Sequence, residues 1–68
     1  MPEKIEGSII YFRADKGFII GDDNVEYYFP LDNIIQSDRG KHIYRNKRVR
    51  INPLKVNDVH IAYDVEIL

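Results

Sequence analysis

A chain of 68 residues has room for one small domain, near the lower end of what folds without help. The absence of cysteine excludes disulfides and thiolate metal sites, and the two histidines, His42 and His60, stand too far apart for a local metal motif. No apolar run approaches the ~20 residues that span a bilayer, and Met1-Pro2-Glu3-Lys4 lacks the charged-then-apolar start of a signal peptide, so a cytoplasmic protein with no membrane partner is expected.

The formal charge of −1 hides an uneven distribution. Between residues 39 and 50 stand six Lys/Arg (Arg39, Lys41, Arg45, Lys47, Arg48 and Arg50) and no acid, whereas the remainder holds four basic and eleven acidic residues. A local basic patch can steer a phosphate backbone even on a neutral molecule, although a solvated loop has the same composition.

Turn signals recur about every ten residues and no stretch carries a helix-length period, which predicts short strands in one unit spanning residues 1–68. The first strand is expected over Ile5 to Arg13, where Gly7 permits a bend or bulge. Ile9 and Tyr11 alternate there with Ile10 and Phe12, so both faces are apolar. Ala14-Asp15-Lys16-Gly17 reads as a turn, with Gly17 free to take φ > 0. Phe18-Ile19-Ile20 forms a second strand, and Gly21-Asp22-Asp23-Asn24 closes a hairpin in which solvated carboxylates are ordinary. In the third strand a period of two puts Val25, Tyr27, Phe29 and Leu31 on one face and Glu26, Tyr28 and Pro30 on the other, leaving Tyr28 as an aromatic on the polar side.

Residues 32–46 show no clean pattern beyond a short helical turn at Asp32-Asn33-Ile34-Ile35, and the basic stretch reads as a loop. A fourth strand over residues 48–54 sends Val49 and Ile51 inward, Arg48 and Arg50 outward, and is ended or edged by Pro53. After a turn at Asn57-Asp58, Val59, Ile61, Tyr63, Val65 and Ile67 alternate with His60, Ala62, Asp64 and Glu66, which predicts a core strand. The expected core is Tyr27, Phe29, Val49, Ile51, Val59, Ile61, Tyr63 and Val65. Five such strands without a helix close most economically into a small all-β barrel, because closure removes exposed edges.

Three blocks carry a family likeness. Gly7-Ser8-Ile9-Ile10-Tyr11-Phe12-Arg13-Ala14-Asp15-Lys16-Gly17-Phe18 resembles the opening of the bacterial cold-shock proteins, Gly-x-Val-Lys-Trp-Phe-Asn-x-x-Lys-Gly-Phe-Gly-Phe-Ile. Glu26-Tyr27-Tyr28-Phe29-Pro30-Leu31-Asp32-Asn33-Ile34 resembles that family's Asp-Val-Phe-Val-His-Phe-Ser-x-Ile, and Ala62-Tyr63-Asp64-Val65 its closing Ala-x-Asn-Val. The resemblance implies a five-stranded antiparallel OB-type barrel that binds single-stranded RNA or DNA by stacking bases on aromatic side chains, with little sequence preference. It implies stacking roles for Tyr11, Phe12, Phe18 and Tyr28 and a phosphate or base-edge contact for Lys16.

Departures from the pattern bear on affinity. Ile20 replaces a ring, Pro30 a histidine, Leu31 a phenylalanine, Ile10 a lysine and Ile19 a glycine. Ile20, Pro30 and Leu31 can still cover a base by dispersion, while Arg39, Lys41, Arg45 and Lys47 are candidate auxiliary phosphate contacts. Tyr44 and His42 are further rings that match no family motif.

Catalysis finds no Ser/His/Asp set, phosphate loop or metal-ligand cluster, so neither an enzyme nor a cofactor is expected. Two other readings share the barrel. In one, Ile10, Ile20, Pro30 and Leu31 beside Tyr28 form an apolar patch for protein contact or self-association, the chain being a monomer or weak homodimer. In the other, the basic loop docks on structured RNA through Arg45 and Lys47.

Overall fold

Strands form where β-branched and aromatic residues run together. The computed structural model describes residues 3–68; Met1 and Pro2, part of the stretch inspected above for a signal peptide, lie outside them. It contains β1 (Ile5–Arg13), β2 (Lys16–Gly21), β3 (Glu26–Pro30), β4 (Arg48–Val56) and β5 (Val59–Ile67), with short 3₁₀ turns at Leu31–Asn33 and Gln36–Asp38. The strand order β1-β2-β3-β5-β4 closes into the expected barrel, because β1 pairs antiparallel with β2 on one side and with β4 on the other.

β3 and β5 meet in parallel, with Tyr28 opposite Ile61. The β3–β4 linker strengthens this seam: Asn33 Nδ2 donates to Ala62 O and the Ile35 N–H to Val65 O, each at 3.0 Å. Ile34 is thereby buried at one end of the barrel, in a core with Ile9, Ile19, Phe29, Val49, Ile51 and Val65.

The face each β1 side chain takes is set by a bulge. Ile9 pairs with Ile19 and Tyr11 with Phe18, so Ile10 is one residue more than β2 can match. Past it the alternation reverses, so that Tyr11 is exposed while Phe12 turns inward. The Phe12 ring stacks on Phe29, with centroids 5.9 Å apart and planes 14° from parallel.

Gly17, paired with Phe12 on one side and Phe29 on the other, makes room for that contact. A Cβ there would lie 2.9 Å from the Phe29 ring and 2.5 Å from the Tyr11 carbonyl oxygen. Gly17 is thus required for space and not, as expected, for a positive φ; the left-handed residue of the β1–β2 turn is Ala14, at φ 60°.

Pro53 does not end β4, which runs to Val56; past Ile51 the strand pairs with β5 alone, so Pro53, opposite Ala62, stands at an edge, the other of the two places expected for it. The alternation expected of β5 is broken: Arg50 pairs with Glu66 and Asn52 with Tyr63, so Ile51 faces two residues, Asp64 and Val65. Asp64 takes up the extra residue at φ 50°, a conformation that Asp tolerates better than most. Val65 and Ile67 still point inward, but before the bulge Ala62 fills the core, while Val59 is exposed and Ile61 and Tyr63 are half-buried.

The carboxylates of the β2–β3 turn are not merely solvated. Asp23 accepts hydrogen bonds from the Val25 N–H at 3.1 Å and the Tyr27 hydroxyl at 2.6 Å. Burial, helped by this carboxylate, pushes the Tyr27 hydroxyl from 10.0 up to about 12.

Two predictions follow from this packing. Gly17→Ala should lower unfolding stability by about 1–3 kcal/mol through overpacking, whereas Gly40→Ala, which meets open space, should shift it by no more than about 0.5 kcal/mol in the same denaturant titration. Because the folded state favours neutral Tyr27, its contribution is complete below the unfolded value of 10.0 and is lost as pH rises towards about 12. Stability measured across that interval should fall, and Tyr27→Phe should remove this component of the fall.

Candidate functional site

The outer surface of β1, β2 and β3 is arranged in rows fixed by strand register. Tyr11 lies opposite Phe18, and Phe18 opposite Tyr28, which places three rings side by side on three neighbouring strands. Their centroids are 6.0 Å apart from Tyr11 to Phe18 and 5.9 Å from Phe18 to Tyr28, both pairs tilted. Tyr11 is 44% exposed and the other two are half-buried, so each ring leans on its neighbour and keeps part of its surface in water.

Arg13, Lys16 and Pro30 form the next row towards the β1–β2 turn, Arg13 opposite Lys16 and Lys16 opposite Pro30. Both cations are exposed. The row on the other side holds Ser8, Ile20 and Glu26. Of the residues marked out by sequence, Tyr11, Phe18 and Tyr28 therefore make up the central row, with Lys16, Pro30 and Ile20 flanking it. Phe12 faces the core with Phe29, and Leu31 opens the first 3₁₀ turn and packs against the same core.

Arg13 was missed by the sequence reading, since it occupies an asparagine position of the pattern. The signal was available: two residues after an outward Tyr11, strand alternation returns the side chain to the same face.

The basic segment divides into engaged and available cations. Arg39 donates from Nε to Ile34 O at 3.1 Å and from Nη2 to Asp32 O at 3.0 Å, fastening the linker. Lys41 Nζ lies 3.0 Å from Asp38 Oδ1 and 3.3 Å from Ile67 O. Lys41 and the Ile67 N–H, which donates to Asp38 Oδ2 at 2.8 Å, hold the Asp38 carboxyl below its usual range.

Arg48 bridges Asp22 at 2.7 Å and Glu6 at 3.4 Å, which holds the Asp22 carboxyl low and raises the guanidinium. Arg50 reaches Glu66 at 3.8 Å. Arg45 is exposed in the turn before β4, and Lys47 sets its ammonium 5.5 Å from the Tyr44 ring centre. That turn lies beside β1: the Asn46 N–H donates to Ile9 O at 2.6 Å and the Ile9 N–H to Lys47 O at 2.9 Å.

Such a surface suits flat π-systems joined by anionic links, with rings to cover the faces and cations at the margins to meet the charge. A second apolar surface lies on the β4–β5 hairpin, where Leu54 is opposite Ile61 and Val56 opposite Val59. Leu54, Val56 and Val59 are 39%, 42% and 49% exposed.

No family model and no curated protein sequence matches the chain. Among solved structures, it is similar to the one titled "drosophila Unr CSD456", with a TM-score of 0.82 and 15% sequence identity over 98% of this chain. The match spans 27% of the length of that structure. At this identity the likeness speaks for the fold alone: a closed five-stranded all-β barrel of the OB type.

Proposed function

We propose that this barrel is a single cold-shock-like domain that binds single-stranded nucleic acid, RNA or DNA, without catalysis, on the outer face of β1–β3. The observation that carries the reading is the in-register row Tyr11, Phe18, Tyr28, flanked by the exposed cations Arg13 and Lys16. Every base has a π-face, so a row of rings needs little sequence preference, and base–aromatic stacking contributes about 1–3 kcal/mol per base. Cross-strand packing alone accounts for contact between the rings, at about 0.2–1 kcal/mol per pair. It leaves without a purpose the concentration of three aromatics on the solvent side of three adjacent strands.

A second reading, contact with a protein or self-association, finds support on a different surface from the patch of Ile10, Ile20, Pro30 and Leu31 expected for it: Leu54, Val56 and Val59 are exposed on the β4–β5 hairpin, whereas Leu31 packs against the core. The basic-loop mode on structured RNA keeps Arg45 and Lys47, the two residues it invokes, while Arg39, Lys41, Arg48 and Arg50 are engaged within the protein.

Fluorescence anisotropy with labelled single-stranded DNA and RNA, at low and physiological salt, tests the proposal. Saturable binding is expected, weakening with salt at a logarithmic slope of about −2 to −3 if the four available cations each meet a phosphate. A folded Phe18→Ala/Tyr28→Ala variant should lose about a hundredfold or more in affinity. No binding to either strand at low salt would overturn the proposal and direct attention to the hairpin surface.

A further inference from the structure

From the placement of the turn before β4 we infer that the binding face continues past β1 onto Tyr44, a fourth stacking position. This rests on the nucleic-acid reading above and extends the site in one direction. Ser8 pairs with Arg48, and the paired bonds of Ile9 with Asn46 and Lys47 continue that register beyond β4. The turn thus lies along β1 on the side away from β2, giving the spatial order Tyr28, Phe18, Tyr11, then the turn carrying Tyr44.

The turn is built to hold its ring outward. Ile43 packs against the core while Tyr44, next in the chain, is 49% exposed. The Tyr44 carbonyl accepts the Lys47 N–H at 3.2 Å, and Asn46 takes φ 75° to tighten the turn. The Tyr44 ring is supported by the His42 ring at 5.4 Å and the Lys47 ammonium at 5.5 Å.

Charge favours the same occupant. Lys47 sets its ammonium over this ring and the exposed Arg45 follows Tyr44 in the chain; among the described residues neither is engaged by an acid or a linker carbonyl, and no acid lies between residues 39 and 50. A base covering Tyr44 would bring its phosphate among them, with Arg13 and Lys16 serving the β1–β3 end of the same strand. The ligand is therefore a single strand long enough to run from Tyr28 to Tyr44, about four or more nucleotides at one base per ring.

A length series of fluorescein-labelled oligo(dT), from about two to about eight nucleotides, separates this inference from the reading it rests on. Wild-type affinity should rise with length and then level off. Tyr44→Ala should leave the shortest strands unaffected and weaken the longer ones by at least about fivefold, bringing the plateau about one nucleotide earlier. The loss should be equal at low and high salt, because no charge is removed, and Tyr44→Phe should restore wild-type behaviour.

Tyr44→Ala that binds every length like wild type, while Phe18→Ala/Tyr28→Ala does not bind, would overturn the extension and leave the β1–β3 site standing. An equal loss at all lengths would also overturn it, since that would mark a general effect on the fold. Wild-type protein that binds no oligonucleotide would overturn both.

Discussion

Between Ile9 and Tyr11, β1 carries one residue more than β2 can pair, and this bulge decides which rings the protein shows to water. Uninterrupted alternation from the buried Ile9 would send Tyr11 into the core and Phe12 out. With the bulge, Tyr11 joins Phe18 and Tyr28 in register on the outside, and Phe12 adds its ring to the core beside Phe29. Full burial of such a ring contributes about 1.5–3 kcal/mol, of which the partly buried Phe12 gains a share, still appreciable in a domain this small. Gly17, paired between Phe12 and Phe29, leaves free the space that a Cβ would take from the Phe29 ring and the Tyr11 carbonyl, so the outer row and the inner stack meet at one residue.

Charge is organised with similar economy. Four of the six cations between residues 39 and 50 serve the fold: Arg39 and Lys41 fix the linker that closes the barrel end, Arg48 joins β4 to the acids of β1 and the β2–β3 turn, and Arg50 meets Glu66. Among the described residues, the available cations sit in two pairs, Arg13 with Lys16 beside the β1–β2 turn and Arg45 with Lys47 in the turn along β1. A chain of slightly negative formal charge thereby keeps a basic margin around the proposed site.

The barrel and the face of β3 were legible because Tyr27 and Phe29 alternate with Tyr28 and Pro30 without interruption. The β5 pattern looked even clearer and misled, since a period of two in composition does not reveal a bulge. Ala62 is small enough for the core, Ile61 and Tyr63 stay half-buried on the outside, and only the residue type of Asp64, tolerant of positive φ, hinted at the break. For Tyr11 and Phe12 the sequence left both faces open, because the choice depends on which β1 residue goes unpaired against β2. The engagement of Arg39 and Lys41 was illegible for a related reason: their acceptors are carbonyls and a carboxylate gathered by the linker's path across the barrel.

The most direct test of the ring row is an NMR titration with a short single-stranded oligonucleotide, following aromatic and methyl resonances together. Ring protons of Tyr11, Phe18 and Tyr28 are expected to move upfield and saturate at a common concentration, while the Phe12 and Phe29 rings and the Leu54, Val56 and Val59 methyls stay in place. Saturable shifts at the hairpin methyls with the three outer rings unmoved would contradict it.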